Sequence, residues 1–269
     1  MADEWAAVAD RYVASIAGSV KGRVRLHVLH QQLLAHLPAP PAAVVDVGGG
    51  AGNQSLPLAR LGYEVTIVDP SPAMLARAAE ALEAEEPAVR QRVRLVEASG
   101  ERAPEALGDK GFAAVLCHAV LMYVEEPEPF LEVLSRLAAP GGIVSIAAQN
   151  ARTSAVRPAL EGRWADALAA FDQRRDIGIL GFATRSDTVE ELTELLARHG
   201  VQRQAWYGVW LFTDGWVRDL DTAPLDDILA VELEASRRDP YRQLSRLFHL
   251  VGRKAGLHPV PGYGVSVES

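Results

Sequence analysis

The ten residues Val44-Val45-Asp46-Val47-Gly48-Gly49-Gly50-Ala51-Gly52-Asn53 constrain this chain more than any other stretch. Three valines around one acid read as a strand buried on both faces, because β-branched side chains pack well on a pleated surface. The glycines behind them let the backbone take φ > 0 and bring bare N–H groups close to a ligand. Asn53, Gln54 and Ser55 open a helix behind the turn. The unit is therefore strand, glycine turn, helix.

A second apolar run, Glu64-Val65-Thr66-Ile67-Val68-Asp69, also ends in an acid. An acid at that strand tip is where α/β nucleotide-binding folds hold ribose hydroxyls. The dinucleotide frame G-x-G-x-x-G/A fits poorly, since from Gly48 its third position is Ala51 with Gly52 directly behind. The frame Asp46-x-Gly48-x-Gly50-x-Gly52 fits cleanly. The plain alternative is a structural glycine turn in some other α/β protein.

Further strands are expected at Val93–Val96, Phe112–Cys117, Ile143–Ile146, Trp206–Trp210 and Leu247–Val251. Helices are expected from Pro72, from Pro127 to Ala138, and from Thr188 to Gly200. The last of these opens on a capping-box pattern, Thr188 to Glu191. Strands and helices alternating at this spacing call for an α/β fold with a doubly wound, mostly parallel sheet. Residues 1–37 read as helical, with Trp5, Val8, Ala9, Tyr12 and Ile16 at spacings of three and four. Trp5 and Tyr12 there are either core residues or part of an N-terminal lid. After Gly18, the basic run Lys21-Gly22-Arg23-Val24-Arg25 precedes a second helix through Leu26, Leu29, Leu33 and Leu34. The main domain is read as 38–255, with helical cap segments at about 151–183 and 213–243 and a flexible tail at 256–269.

At 269 residues and 49 % hydrophobic, the chain can bury one large core with insertions. No run of about 18 apolar residues is present, so no membrane span is expected. A net charge of −8 argues against a generally basic nucleic-acid binder, and no DNA partner is expected. Acids at Asp3 and Glu4 stand where a signal peptide carries bases, and Cys117 is the lone cysteine, so a reduced cytoplasmic setting is expected. Cys117 reads as a small buried hydrophobe. His27, His30 and His36 have no acid or cysteine nearby in sequence, so no metal site is expected. Asp226, Asp227, Glu232 and Glu234 read as a solvated helix face.

With the glycine turn, Asp69 and His118-Ala119-Val120-Leu121 together, the chain resembles the class I S-adenosylmethionine-dependent methyltransferases. It is most similar to the bacterial tRNA 5-carboxymethoxyuridine methyltransferases. Lys21-Gly22 with Arg25, Pro140-Gly141-Gly142, Asn150-Ala151, Asp239-Pro240-Tyr241 and Arg246 with His249 carry that likeness over about 250 residues. The resemblance implies a Rossmann-like seven-stranded sheet with its last strand antiparallel, and S-adenosyl-L-methionine as cofactor across the strand ends. By position, Arg25 would reach the cofactor carboxylate and the amides of Gly48 and Gly49 would line its amino-acid portion. Asp46, Gly50, Gly52 and Met74 complete the implied cofactor set. Asp69 would hold the ribose hydroxyls, Gly100 and Glu101 would flank the adenine, and His118 would sit beside the methionyl end. Arg152, Trp210, Tyr241 and Arg246 fall on the implied substrate side. The sequence departs from the resemblance where a lysine-rich run would follow the fifth strand. Arginines are scattered there instead, and Trp210 replaces an arginine.

A sulfonium methyl is intrinsically electrophilic, so such a protein supplies proximity, alignment and exclusion of water, worth ~7–11 kcal/mol. A carboxylate acceptor needs no base. A hydroxyl or amine acceptor wants one, and His118 or Tyr123 is the candidate. His118 also reads as a satisfied turn residue, and Asp46 as either a ligand contact or a brace for the turn. Arg237, Arg238, Arg242, Arg246, Arg253 and Lys254 either join Arg23, Arg25 and the insertion arginines in one basic rim or are dispersed. Such a rim suits a carboxylate or a tRNA anticodon loop stacked on Trp164, Tyr207 or Trp210. The leading reading is methyl transfer to a carboxylate of a modified wobble uridine in tRNA. Its rivals are a small-metabolite O- or N-methyltransferase and a non-catalytic cofactor-binding protein.

Overall fold

Valine-rich runs become strands here because both faces of the sheet are covered, so each buried side chain contributes whichever way it points. The computed structural model describes residue 9 and residues 18–108, 111–178, 181–217 and 220–256. Strands β1 (Ala43–Val47), β2 (Glu64–Asp69), β3 (Val93–Glu97), β4 (Phe112–His118) and β5 (Ala138–Gln149) pair in parallel. Strand β8 (Val201–Val209) and strand β9 (Leu247–Lys254) complete a seven-stranded sheet in the order β3-β2-β1-β4-β5-β9-β8. Strand β9 is antiparallel to both its neighbours. The implied topology is therefore present.

Helices α1 (Val20–Leu34), α2 (Ser55–Arg60) and α3 (Pro72–Glu83) cover one face, which packs Leu33, Leu58, Ile67 and Ala78. Helices α4 (Pro127–Leu137) and α7 (Val189–Arg198) cover the other with Phe130, Leu134, Leu192 and Leu196 around Phe248. Helix α7 starts on the expected capping box, with the Thr188 and Glu191 side chains each accepting from the other's backbone N–H.

The insertion after β5 holds α5 (Val156–Leu160), α6 (Trp164–Ala170) and a short hairpin of β6 (Arg175–Ile177) and β7 (Ala183–Arg185). The hairpin was not legible, because three-residue strands carry too little alternation to stand out. The second cap segment folds as α8 (Leu225–Ala235), whose Leu225, Ile228, Leu229 and Leu233 pack on Val24, Val28 and Leu29 of α1.

Four expectations need correcting. The basic run 21–25 lies inside α1 rather than ahead of it, with Ser19 as N-cap accepting from Gly22 N at 2.9 Å. Strand β8 begins at Val201, because pairing with Lys254 extends the ladder below Trp206. The ladder of β5 resumes at Ala138, with a register shift where Pro140-Gly141-Gly142 loops past β4. Glu232 is not solvated. It is buried and accepts from Leu211 N at 3.0 Å and from Thr213 N and Oγ1, each at 2.7 Å.

The expected helix through Trp5, Tyr12 and Ile16 and the expected tail beyond Gly256 lie outside the described residues. Among the described residues no helix is long and apolar enough to cross a membrane. Phe248 is fully buried at the centre of the larger core. Its replacement by alanine is expected to cost ~3–5 kcal/mol of unfolding free energy in a denaturant titration.

Candidate functional site

All five parallel strands end at one edge of the sheet, and a pocket opens there over the tips of β1, β2, β4 and β5. Open α/β sheets bind ligands at this edge, where the strand order reverses. Here the reversal falls between β1 and β4, which lie side by side.

The glycine turn forms the pocket floor. Gly48, Gly50 and Gly52 have φ of +73°, +54° and +78°, a region that side chains rarely adopt. Space is as strict as the backbone. A Cβ on Gly49 would stand 2.8 Å from Asp46 Cγ, one on Gly50 2.8 Å from Met74 Cε, and one on Gly48 would collide with Val120. Gly48, Gly49 and Gly50 line the pocket; Gly52 shapes the turn from behind, where Leu56 N donates to its carbonyl.

Two acids hold this turn. Asp46, at the end of β1, is buried, and its Oδ2 accepts from Ser55 Oγ at 2.7 Å. Burial raises its pKa to about 6, partly offset by the Ser55 bond, with the Asp69 charge adding to the rise. Asp46 thus braces the turn and also lines the pocket. Asp69, at the end of β2, accepts from Gly50 N through Oδ2 and from Ser71 N through Oδ1, each at 2.9 Å. Burial raises its pKa, and the two amide bonds oppose the rise. Each carboxylate oxygen keeps a lone pair after one such bond, which leaves Asp69 able to accept from a diol.

The walls come from four further segments. Arg25 and Leu29 of α1, Met74 of α3, Gly100 and Glu101 after β3, and His118 with Tyr123 after β4 all line the pocket. The sequence missed Val120 and Phe130. Val120 sits over Gly48, and the Phe130 ring fills the space that a side chain on Gly100 would need. Both look like ordinary core positions in the sequence, and only the glycines opposite them give a sign. Ala9 is buried against Ala51 and Met74 at the edge of the same pocket.

Among the described residues, Arg25 Nε and His118 Nδ1 are buried polar atoms of this pocket without a protein partner. One is a donor beside a positive charge, and the other belongs to an imidazole. The pocket thus combines a naked-amide floor, a diol-accepting carboxylate and an unpaired guanidinium N–H. That donor set fits an adenosyl amino acid. His118 Nε2 is 2.8 Å from Ser145 Oγ. Burial, with the Arg25 charge, pushes His118 down to about 3, so the ring stays neutral and is a poor proton acceptor near pH 7.

The expected substrate-side residues separate. Trp210, at φ +62°, lies behind Arg25: its Nε1 donates to Lys21 O at 2.7 Å, and the Arg25 guanidinium is 5.3 Å from the ring centroid. Trp210 therefore positions Arg25 and does not line the pocket. Arg246 faces a second cavity of about 500 Å³ under the first cap, beside Arg157, Arg163, Arg174, Arg175 and Arg185. Arg152 is exposed and paired with Glu190 at 3.0 Å, and Tyr241 is exposed against Phe212; neither lines the pocket or the cavity. The single basic rim does not form. Arg253 and Lys254 donate to Gly141 O and Ala138 O at the opposite edge of the sheet. Tyr207 packs against His36 and His249 beneath the sheet surface, whereas Trp164 is exposed on the cap.

Comparison with known proteins gives the same assignment of the core. A methyltransferase-domain family model matches residues 45–146. The tRNA 5-carboxymethoxyuridine methyltransferase of Escherichia coli K12 is 27 % identical over 252 residues, covering 92 % of this chain and 94 % of that protein. The ubiquinone biosynthesis O-methyltransferase of Caulobacter vibrioides is 29 % identical over 219 residues, covering 74 % of this chain and 78 % of the relative. Among solved structures, magnesium protoporphyrin IX methyltransferase from Synechocystis PCC 6803 with bound SAH aligns at a TM-score of 0.64 with 15 % identity, over 94 % of this chain and 98 % of its own.

Asp46 gives a pH signature. Its folded pKa of about 6 lies above the ordinary 3.8, so the folded state favours the neutral carboxyl. The stability this contributes is complete below the unfolded value and is lost as pH rises through about 6. Asp46→Asn mimics the neutral form. Between pH 4 and pH 8 its unfolding free energy is expected to improve relative to the parent by up to roughly 3 kcal/mol in denaturant titrations.

Proposed function

We propose that this chain, an S-adenosylmethionine-dependent methyltransferase, methylates a carboxylate on a modified wobble uridine of tRNA. The observation that carries this reading is the arginine-lined cavity that meets the cofactor pocket at the end of the sheet. Gln149 and Arg246 line the cavity, while Leu247, the register partner of Gln149, lines the cofactor pocket. Six arginines face three acids there, Glu161, Asp166 and Asp176. Most of these arginines hold close acidic partners, but Arg175 and Arg246 reach theirs only at 3.9 and 4.0 Å. Those two are the most available for an anion. Arg246 stands nearest the cofactor by chain position.

S-adenosylmethionine, when bound, supplies an electrophilic methyl. The protein's part is to hold the two reactants in line and keep water out. Asp69 would bind the ribose diol, the Gly48 and Gly49 amides and Arg25 the amino-acid end, and Glu101 and Gly100 the base. A carboxylate acceptor is already ionised at neutral pH, and no base is asked of the site. This suits a pocket whose one histidine is pushed down to about 3. As the bond forms, opposite charges cancel, which a dry apolar pocket favours. The likeness over 92 % of the chain to a tRNA 5-carboxymethoxyuridine methyltransferase supports the same acceptor.

A phenolic small-molecule acceptor is the second reading. The likeness to ubiquinone biosynthesis O-methyltransferases supports it, and Tyr123 lines the pocket wall as a candidate base for a hydroxyl.

The test uses methyl-labelled cofactor and tRNA bearing 5-carboxymethoxyuridine. Label is expected on the tRNA and is expected to be released by mild alkali, as a methyl ester is and an aryl ether is not. Transfer to phenols alone would replace this reading with the second. Arg246→Ala is expected to raise KM for the tRNA with cofactor affinity unchanged. Asp69→Ala is expected to weaken cofactor binding by ~1.5–3 kcal/mol in calorimetry.

A further inference from the structure

A chain of hydrogen bonds runs under the cofactor pocket through α1, β8, β9, β5 and β4, and each proton in it can be placed by elimination. Gln32 on α1 donates through Nε2 to Gly208 O at 3.0 Å. A backbone carbonyl only accepts, so the amide nitrogen must face it and Oε1 must face the other way. Oε1 lies 2.8 Å from His249 Nδ1 on β9, which therefore carries a proton. His249 is fully buried, and its two ring nitrogens face an amide oxygen and a hydroxyl, with no carboxylate bonded to either. A cation there would be costly, and burial with the neighbouring His118 and His36 lowers its pKa well below the ordinary value. Its Nε2 is then bare.

Ser145 Oγ on β5 lies 2.7 Å from that Nε2 and must spend its one proton on it. The bond of 2.8 Å from Ser145 Oγ to His118 Nε2 is then left to be donated by His118. The ring is neutral, so Nδ1 is a lone pair. Among the described residues that atom has no protein partner in the pocket, and Arg25 Nε is a donor without one.

We propose that Gln32, His249 and Ser145 are positioning residues that lock His118 in its Nε2–H form, so that Nδ1 accepts from the ammonium of the cofactor's amino-acid end while Arg25 takes the carboxylate. The pair reads the zwitterion: an acceptor and a cationic donor side by side match an ammonium and a carboxylate on one carbon. Were the His118 proton on Nδ1, the ring would present a donor to a cation, and binding would be repelled at that point. The relay sets this choice from four hydrogen bonds away, at a carbonyl of β8. The ligand half of the inference rests on the cofactor reading above, whereas the tautomer half stands on the protein alone.

Nitrogen-15 NMR of the unmutated protein labelled at histidine tests the tautomers without ligand. His118 is expected to show a bare, pyridine-type Nδ1 and a protonated Nε2, and His249 a protonated Nδ1 and a bare Nε2. A protonated Nδ1 on His118 would overturn the proposal. Calorimetry of Ser145→Ala with two ligands tests the rest. Affinity for S-adenosylhomocysteine is expected to fall roughly 10-fold or more. Affinity for 5′-methylthioadenosine, which lacks the amino-acid end, is expected to stay within about twofold, since no polar contact is lost to it. An equal fall for both, or no fall for either, would overturn the amino-acid assignment. If the unmutated protein bound neither ligand, the cofactor reading itself would fail and the ligand half with it, while the NMR result would still decide the tautomers.

Discussion

The Asp69 carboxylate is the fastening on which the site depends. One oxygen takes the amide of Gly50 and the other that of Ser71, so a single side chain pins the turn after β1 to the start of α3. Glycines at positive φ have few contacts of their own to keep them in place. Asp46 secures the same turn from inside through Ser55. The floor of the pocket is held by two buried carboxyl groups, each bonded by backbone or hydroxyl donors at its edges. Removing either would leave a buried group unpaired, and that penalty exceeds the worth of the bond itself.

The sheet and the floor of the site were legible because their signals are local. A valine run, a glycine spacing and an acid at a strand tip each lie within ten residues, and each has one physical reason. Arg25, Gly48, Asp69, Glu101 and His118 accordingly meet at one pocket. The substrate side was less legible, because its geometry depends on where strands begin and end. Arg246 and Arg253 sit seven residues apart on or beside one antiparallel strand, which carries them to opposite edges of the sheet. Net charge along the sequence could not show this. Trp210 was misread for a related reason. An aromatic next to arginines suggests stacking on a ligand, but here its ring and its N–H are both spent on α1.

The two halves of the site use charge differently. In the cofactor pocket the polar groups are few, and Trp210 lies behind Arg25 with its ring 5.3 Å from the guanidinium. In the cap cavity six arginines, three exposed and three half-buried, are partly neutralised by acids. Exposed pairs of this kind are worth little each and exchange readily, so an arriving anion can take over a partner at small cost. The first arrangement selects one ligand; the second tolerates a flexible, multiply charged one.

The place of β9 in the sheet bears on how the protein is made. Among the described residues it is the last strand in chain order, yet it lies between β5 and β8. On the ribosome, β8 emerges with no strand beside it, and β5 presents an unfilled edge, until residues 247–254 follow. Strands β1 to β5 and their helices can assemble earlier, with the glycine turn already formed. Because Phe248 and His249 arrive together on β9, the larger core and the polar chain beneath the pocket close in one late event. A nascent chain stalled before that point would hold the cofactor floor but leave the β5 edge of the sheet unpaired.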